Sequence, residues 1–533
     1  MKSTNPTRNP NELFVRVPQK GAKRNMFHRP HNHPTTFKMG WIVPHNWEAT
    51  LPGETWFLRT SVGMRFLPLY FPIMADIEID LYWFYCPNRI LYDNQDTSRW
   101  ENFIMGKEDP EWAYCDLSAG AQGGAITSLN ESSVACYLGI PTTGIASVTD
   151  PQHVSALPGA VYGKLWDHYF RSSQLQDEVA DSRLIGGENT WVNDILFSLP
   201  LKANWKHDYF TAALPEAVAG EDILVPLMDE DKLIPENLRL QRADVGGNPP
   251  AAGINIDSTG IVRSDTGSVR LGVEPTTFNE NAAKIRTLRL HLVLQEWFEK
   301  ANRIGDKYRD FIRGRFGLDP RAGIIDEPVY IGHAKGHVTI SDVMQTAETV
   351  ESDTVTSPTG SYSGQAIAVT GSRPFKFFSP EHGIIMQMAV VRPQAGYGQG
   401  IGREWFRETY MDYPFPEFAH IGDQPIMNKE IFWDWTDNNP TLHDAEFGYQ
   451  PRYAEYRWKN NTLSGKMRTD FRDWHLYQWY DTRPELNSDF IACTPRADDV
   501  FTMATNEEHE IFALFKSHNK ALRPLPVFGN PGI

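Results

Sequence analysis

The segment Thr55–Gly106, TWFLRTSVGMRFLPLYFPIMADIEIDLYWFYCPNRILYDNQDTSRWENFIMG, holds two strand patterns and a short helix almost back to back. In the first, Trp56, Leu58, Val62, Met64 and Phe66 share one face, and Phe57, Arg59, Ser61, Gly63 and Arg65 the other. In the second, Ile77, Ile79, Leu81, Trp83 and Tyr85 alternate with Asp76, Glu78, Asp80, Tyr82 and Phe84. A period of two is the pattern of a pleated strand packed on a core. Pro87-Asn88 then breaks the run, as a turn does. Ser98 and Glu101 have capping-box spacing, so a helix is expected to follow, with Trp100, Phe103 and Ile104 on its buried side and Gly106 at its end.

The whole chain extends this reading. Its 533 residues are 41% hydrophobic, 12% aromatic and 22% charged, with 40 Gly and 37 Pro. Many rings, many chain breakers and few long helical patterns predict an all-β architecture with long loops. The net charge of −16 excludes nucleic-acid binding by the surface at large, so any such contact has to be local. Cys86, Cys115, Cys136 and Cys493 form no CxxC pair, which predicts buried thiols in a reduced compartment. Neither a signal-peptide pattern nor an apolar run of membrane-spanning length is seen, so no membrane insertion is expected.

Residues 1–40 are biased the other way. Lys2, Arg8, Arg16, Lys20, Lys23, Arg24 and Arg29 face one acid, Glu12, and five prolines interrupt any helix. This reads as a basic extended arm, laid on nucleic acid or on a neighbouring subunit, or as a solvated terminus. His28, His31 and His33 lie in it without an adjacent Cys, Asp or Glu, and no metal or cofactor is expected.

Further along, Leu157–Gln174 has the pattern of a helix burying Val161, Leu165, Trp166 and Tyr169. Residues 216–282 turn to Gly, Pro, Asp and Asn and read as a large surface insertion with small hairpins. Ala283–Gly317 is the longest helical region, with Arg286, Arg289, Arg303, Arg309, Arg313 and Arg315 on its basic side, solvated or facing a subunit. Ile384–Val391 is a nearly continuous apolar run, as for a strand covered on both faces. Strand-like segments follow at Asp489–Cys493, Val500–Ala504 and Glu510–Phe515. GxSxG, HExxH and Walker A patterns are absent, and the glycines of 398–402 lack the Lys-Ser/Thr of a phosphate loop, so they read as a turn. The acid–histidine neighbours Glu381-His382, Asp473-His475 and His509-Glu510 read as structural pairs.

Pro87-Asn88-Arg89 followed by W-x-x-F-I-x-G at Trp100–Gly106 resembles the major capsid protein of the Microviridae, small icosahedral phages with single-stranded DNA. The likeness recurs in order: Asp208-Tyr209-Phe210-Thr211, Pro328-x-Tyr330-Ile331-Gly332, Ile340–Thr346, Glu381-His382-Gly383, Phe447-Gly448-Tyr449-Gln450 and Pro526-x-x-Gly529-x-Pro531-Gly532. His333 stands where the family often has a second Gly, and the stretch after Pro215 is altered, which makes the chain a divergent, gokushovirus-like member. The resemblance implies an eight-stranded antiparallel viral jelly roll, a β-sandwich whose long inter-strand insertions contain a few helices. It implies one jelly-roll domain over 41–533 and no catalysis. It also implies a homo-oligomeric T=1 shell around circular single-stranded DNA, assembled in the bacterial host cytoplasm, with the basic arm turned inward to the DNA. Its partners would be a scaffolding protein, a small DNA-associated protein, a minor pilot protein and a host surface receptor met by 216–282. Two readings compete. A monomeric all-β carbohydrate-active enzyme or lectin fits the aromatic content, and a trimeric receptor-binding spike would form no closed shell.

Overall fold

The computed structural model describes residues 24–93, 100–105, 111–117, 130–142, 153–180, 183–217, 239–242, 254–256, 262–264, 269–272, 285–304, 308–316, 326–344, 349–351, 355–357, 362–433, 440–503 and 508–527. These fall into two compact units, one from the residues up to Pro215 and from Ile312 onward, the other from Glu216–Phe311. Two antiparallel sheets dominate the first unit. In chain order their strands are β1 (Asn25–Phe37), β2 (Val43–Thr50), β3 (Glu54–Leu58), β4 (Thr60–Phe66), β5 (Ile77–Pro87), β6 (Val329–His337), β7 (Thr339–Met344), β8 (Tyr362–Gly371), β9 (Phe375–Ser379), β10 (Gly383–Pro393) and β11 (Ile511–Arg523).

The larger sheet runs β7-β8-β4-β11-β3-β9, with β1 on the other edge of β11. The register joins β3 and β4 into one strand: Lys520 lies opposite Phe57 and Ser517 opposite Thr60, with no slip across Arg59. The period-two reading of 56–66 therefore holds through the interruption. Trp56, Leu58, Val62, Met64 and Phe66 are all buried, and Arg59, Gly63 and Arg65 are exposed. The smaller sheet runs β6-β5-β10-β2. One apolar core lies between the two sheets, made by Trp56, Val62, Met64 and Phe515 of the larger and Ile79, Leu81, Trp83 and Ile385 of the smaller. A buried polar link crosses it. Thr60 Oγ1 donates to Gln387 Oε1 at 3.0 Å and Ser517 Oγ to the same oxygen at 3.3 Å.

The smaller sheet is covered on its second face as well. Phe84 and Cys86 of β5 and Ile384, Met386, Met388 and Val390 of β10 form a second core with the helices α2 (Leu157–Tyr169) and α3 (Thr190–Phe197). The expected doubly buried strand at 384–391 is thus β10. Helix α2 lies close against α3: a Cβ at Gly159 or Gly163 would sit 2.6 or 2.7 Å from side-chain carbons of Val192 and Ile195. Tyr162 Oη donates to Ile42 O at 2.8 Å and accepts from Leu201 N at 2.9 Å, so its buried hydroxyl is satisfied.

Covering both faces of β5 buries its acids. Asp80 is 1% exposed and Glu78 7%. Burial by itself raises the Asp80 carboxyl, but hydrogen bonds from Arg392 Nη2 at 2.7 Å and His333 Nε2 at 2.9 Å outweigh it and hold Asp80 below its ordinary value. Lys206 contacts Glu78 in the same network, and Lys335 Nζ lies 3.7 Å from Glu78 Oε2. His333, the departure from the family pattern, also stacks on Tyr82 with ring centroids 4.7 Å apart.

Some expectations are corrected. A helix α1 forms at Trp100–Ile104, and Trp100 and Phe103 pack inward, but Ile104 is 47% exposed because a helix this short presents only one turn to the core; Ser98 and Gly106 lie outside the described residues. Asp489–Cys493 is not a strand: Ser488–Ile491 is a helical turn whose cap, Asn487 Oδ1, accepts from Phe490 N at 2.9 Å. Among the described residues of the expected strand Val500–Ala504, a single bridge forms, Phe501 to Leu69, and Ala504 lies outside them. The segment expected at Glu510–Phe515 continues to Arg523 as β11. The four cysteines are unbridged, three of them buried and Cys136 half-buried. No helix among the described residues is long and apolar enough to cross a membrane.

The second unit holds the hairpins Ile254–Ile256 with Val262–Ser264 and Arg239–Arg242 with Val269–Gly272, and the 20-residue helix α4 (Ile285–Ile304). Much of the expected insertion 216–282, Ile223-Leu224-Val225 included, lies outside the described residues. Leu290, Leu292, Val293 and Trp297 of α4 are exposed.

Removing Arg392 while Asp80 stays would leave a buried charge without its main partner. Arg392→Ala is expected to cost about 3–5 kcal/mol. The double variant Asp80→Asn/Arg392→Met is expected to lose much less, and urea denaturation of the three proteins measures the difference.

Candidate assembly and nucleic-acid surfaces

The acid–histidine neighbours are structural. His475 accepts from Tyr477 N at Nδ1 (3.2 Å) and donates from Nε2 to Met467 O (3.0 Å), which occupies both ring nitrogens. Glu381 pairs with Arg89, and His382 lies edge-on to Trp100. His509 is held between Thr36 Oγ1 at 2.9 Å and Ser132 Oγ at 2.8 Å. Its neighbour Glu510 is 1% exposed and accepts from Met39 N at 2.5 Å. Burial pushes the Glu510 carboxyl up to about 7. No group of three or more metal-binding side chains occurs among the described residues, His28, His31 and His33 included.

The Asp208–Thr211 motif has a local physical cause. Asp208 Oδ1 accepts from Phe210 N at 2.9 Å and from Thr211 N at 2.8 Å, closing a turn, while Oδ2 accepts from Tyr397 Oη at 2.7 Å. Tyr209 and Phe210 are thereby set into a third apolar core with Tyr397, Ile426 and Phe447. Tyr397 opens the glycine-rich stretch. A Cβ at Gly400 would lie 1.9 Å from Glu430 O, so these glycines serve backbone contact and not phosphate binding. Glu430 is buried here between Arg403 Nη1 at 3.1 Å and Tyr209 Oη at 2.9 Å.

On this framework sits a set of uncovered rings. Trp405 is 83% and Tyr410 70% exposed, and Tyr413, Phe415, Ile421, Tyr456 and Trp458 are exposed too. Five of these rings, counting the neighbouring Phe418, are linked by contacts. Phe418 touches Tyr410 and Phe415, and the Arg407 guanidinium lies 4.7 Å from the Tyr456 ring and 5.5 Å from that of Tyr413. The loop is fixed, because Asp412 accepts from Thr409 N, Thr409 Oγ1 and Glu408 N. Backbone hydrogen bonding, chiefly from Thr409, holds the Asp412 carboxyl below its ordinary value. Rings and an arginine on a rigid, uncovered surface have the composition of a protein–protein contact. The sequence carried the rings, but only the framework beneath them sets them outward together.

Of the basic arm residues, Lys2, Arg8, Arg16, Lys20 and Lys23 lie outside the described residues. Arg24 is exposed. Arg29 is half exposed and pairs with the buried Glu48 at 2.8 Å, within a strand that pairs with β11 from Asn25 to Phe37. Arg29 therefore has a partner in the fold.

Comparison with known proteins follows this geometry. The family model described as capsid protein (F protein) matches residues 15–533. The chain is similar to capsid protein VP1 of Chlamydia phage 1, 28% identical over 98% of this chain and 97% of that protein. It is similar to capsid protein VP1 of Bdellovibrio phage phiMH2K, 26% identical over 97% of each, and to that of Spiroplasma virus 4, 25% identical over 96% of this chain and 95% of that protein.

The Glu510 value predicts a pH effect with a definite sign. Folded Glu510 holds its proton to higher pH than the unfolded chain does, so the folded state binds more protons between about 4.5 and 7 and stability falls as pH rises through that window. Glu510→Gln is expected to gain about 2–3 kcal/mol relative to the parent between pH 5 and 8, read from urea midpoints.

Proposed function

The chain belongs to the phage capsid protein (F protein) family, and from that premise we propose that it closes into a T=1 icosahedral shell around circular single-stranded DNA. It is a structural, non-enzymatic protein of the virion and assembles into a multi-subunit capsid. The closed shell, the genome and the arm's role are the proposal. One observation carries it: the exposed rings of Trp405, Tyr410, Tyr413 and Phe415, four uncovered aromatics within eleven residues around a hydrogen-bonded turn. Repeated by symmetry, such a patch supplies subunit contacts without further folding.

The strand order supports reading the sandwich as an eight-stranded viral jelly roll. β1, β11, β3 with β4, and β8 with β9 form one four-stranded layer, and β2, β10, β5 and β6 the other, with β7 added at an edge. Apart from β5 and β6, which pair within one layer, and β7 at the edge, successive strands alternate between the layers, which fits a jelly roll. In the proposed particle the 1–40 arm faces inward, where Lys2, Arg8, Arg16, Lys20, Lys23 and Arg24 offset phosphate charge. Arg29 is committed to Glu48 and contributes less. The insertion 216–282 projects and meets the host surface receptor. Assembly takes place in the bacterial cytoplasm with a scaffolding protein, a small DNA-associated protein and a minor pilot protein.

Two outcomes test this. Trp405→Ala/Tyr410→Ala is expected to leave thermal unfolding within about 0.5 kcal/mol of the parent, because both rings are exposed. In the presence of the scaffolding protein it should abolish particles seen by light scattering and electron microscopy. Normal particles would remove this loop from the interface. Lys20→Gln/Lys23→Gln/Arg24→Gln is expected to give particles with less DNA, released at lower salt. Unchanged DNA content would remove the arm from packaging.

A further inference from the structure

The outward face of the larger sheet has a charge pattern at odds with the chain. Its outward strand positions follow from the register. On β11 they are Phe512, Leu514, Lys516, His518, Lys520 and Leu522, facing Arg65, Gly63, Ser61, Arg59, Phe57 and Thr55 of β4 and β3. Lys376 and Phe378 extend the row on β9, and Ile367 and Val369 on β8. On β1 the matching positions are Thr36, Pro34, Asn32, Pro30, His28 and Met26. The outward positions of β7 are Thr339, Ser341 and Val343. No Asp or Glu stands at any of these positions, in a protein whose net charge is −16. Arg59, Arg65, Lys376, Lys516 and Lys520 are exposed, and none makes an ion pair or side-chain hydrogen bond among the described residues.

The face is graded. Its apolar end is an open groove of about 830 Å³ bordered by Ile367, Val369, Phe512 and Leu514, where Glu131 is the acid nearby. The other end gathers Arg59, Lys376, Lys516, His518 and Lys520 around two rings, Phe57 and the 54%-exposed Phe378. The chain enters β1 at this basic end, since Asn25 lies opposite Arg523, and the sequence before it carries Lys20, Lys23 and Arg24.

We propose that this sheet face is a second nucleic-acid surface, distinct from the arm, that holds single-stranded DNA with its phosphates on Lys376, Lys516, Lys520 and Arg59 and unpaired bases on Phe378 and Phe57. The proposal rests on the capsid reading above for the presence of DNA. Charge complementarity selects a polyanion. Rings among the cations select unpaired bases over a duplex or an acidic peptide, because a stacked base pair offers no free face. Outward side chains repeat about every 6.8 Å along a strand, and neighbouring strands lie about 4.8 Å apart, so the cations form a grid that meets phosphates without reading sequence.

The test uses the full-length protein and fluorescein-labelled dT30, with binding followed by anisotropy from low to high NaCl. Lys376→Gln/Lys516→Gln/Lys520→Gln is expected to reduce the slope of log affinity against log salt by about 2, since each single-strand phosphate contact contributes about 0.7. Phe378→Ala is expected to weaken binding at least about fivefold at unchanged slope. Melting curves equal to the parent's show that both variants fold. A triple variant with parental slope and affinity overturns the proposal. If Lys20→Gln/Lys23→Gln/Arg24→Gln then abolishes binding, DNA is held by the arm alone and the capsid reading stands. If the parent binds no dT30, the face proposal and the enclosed-DNA reading fall together. Equal binding of a duplex, or equal competition by polyglutamate, overturns the single-stranded assignment.

Discussion

Strand β5 has no side facing water, and much of the first unit follows from that. Ile77, Ile79, Leu81, Trp83 and Tyr85 fill the space between the sheets, while Phe84 and Cys86 pack under α2 and α3. Glu78 and Asp80 share a face with those two and cannot be solvated. A buried carboxylate without partners costs several kcal/mol, so the chain brings Arg392 from β10, His333 from β6 and Lys206 from a loop to the same place. Three segments far apart in sequence are thereby tied to one strand. A second buried polar link, Thr60–Gln387–Ser517, fixes the larger sheet over it. The apolar cores supply the driving force, and these few polar contacts specify which strands meet.

A rigid sandwich then allows the surface to differ from place to place. The Asp208 turn, the Gly400 contact and the Glu430–Arg403 pair hold a loop whose rings face outward. On the larger sheet the inward positions are mostly apolar, with Thr60 and Ser517 among the buried polar exceptions, and the outward ones are basic or neutral, so one strand such as β11 contributes to core and surface by alternation. Net charge said little about either surface. A −16 chain carries an acid-free face because its acids lie elsewhere, some of them buried in pairs.

Local patterns gave the local facts. Alternation at 56–66 and 77–85 placed two strands and their buried faces, the apolar run at 384–391 announced a doubly covered strand, and Leu157 began a helix. The failures were also local. Asp489–Cys493 has strand-like residues but is turned by an Asn487 cap, and β11 runs to Arg523 because β1, β3 and β4 all pair with it, which propensity alone does not register.

Sequence by itself determined the all-β class, the faces of the central strands, the basic bias of the first 40 residues and, through ordered motifs, membership of the capsid family. Tertiary structure alone decided that the acids of β5 are buried and answered by Arg392 and His333. It also paired Arg29 with Glu48 and gathered Arg59, Lys376, Lys516 and Lys520 on one face. The reason is range. Periodicity reports which way a side chain points from its own strand, whereas pairing between positions 300 residues or more apart decides what it points at.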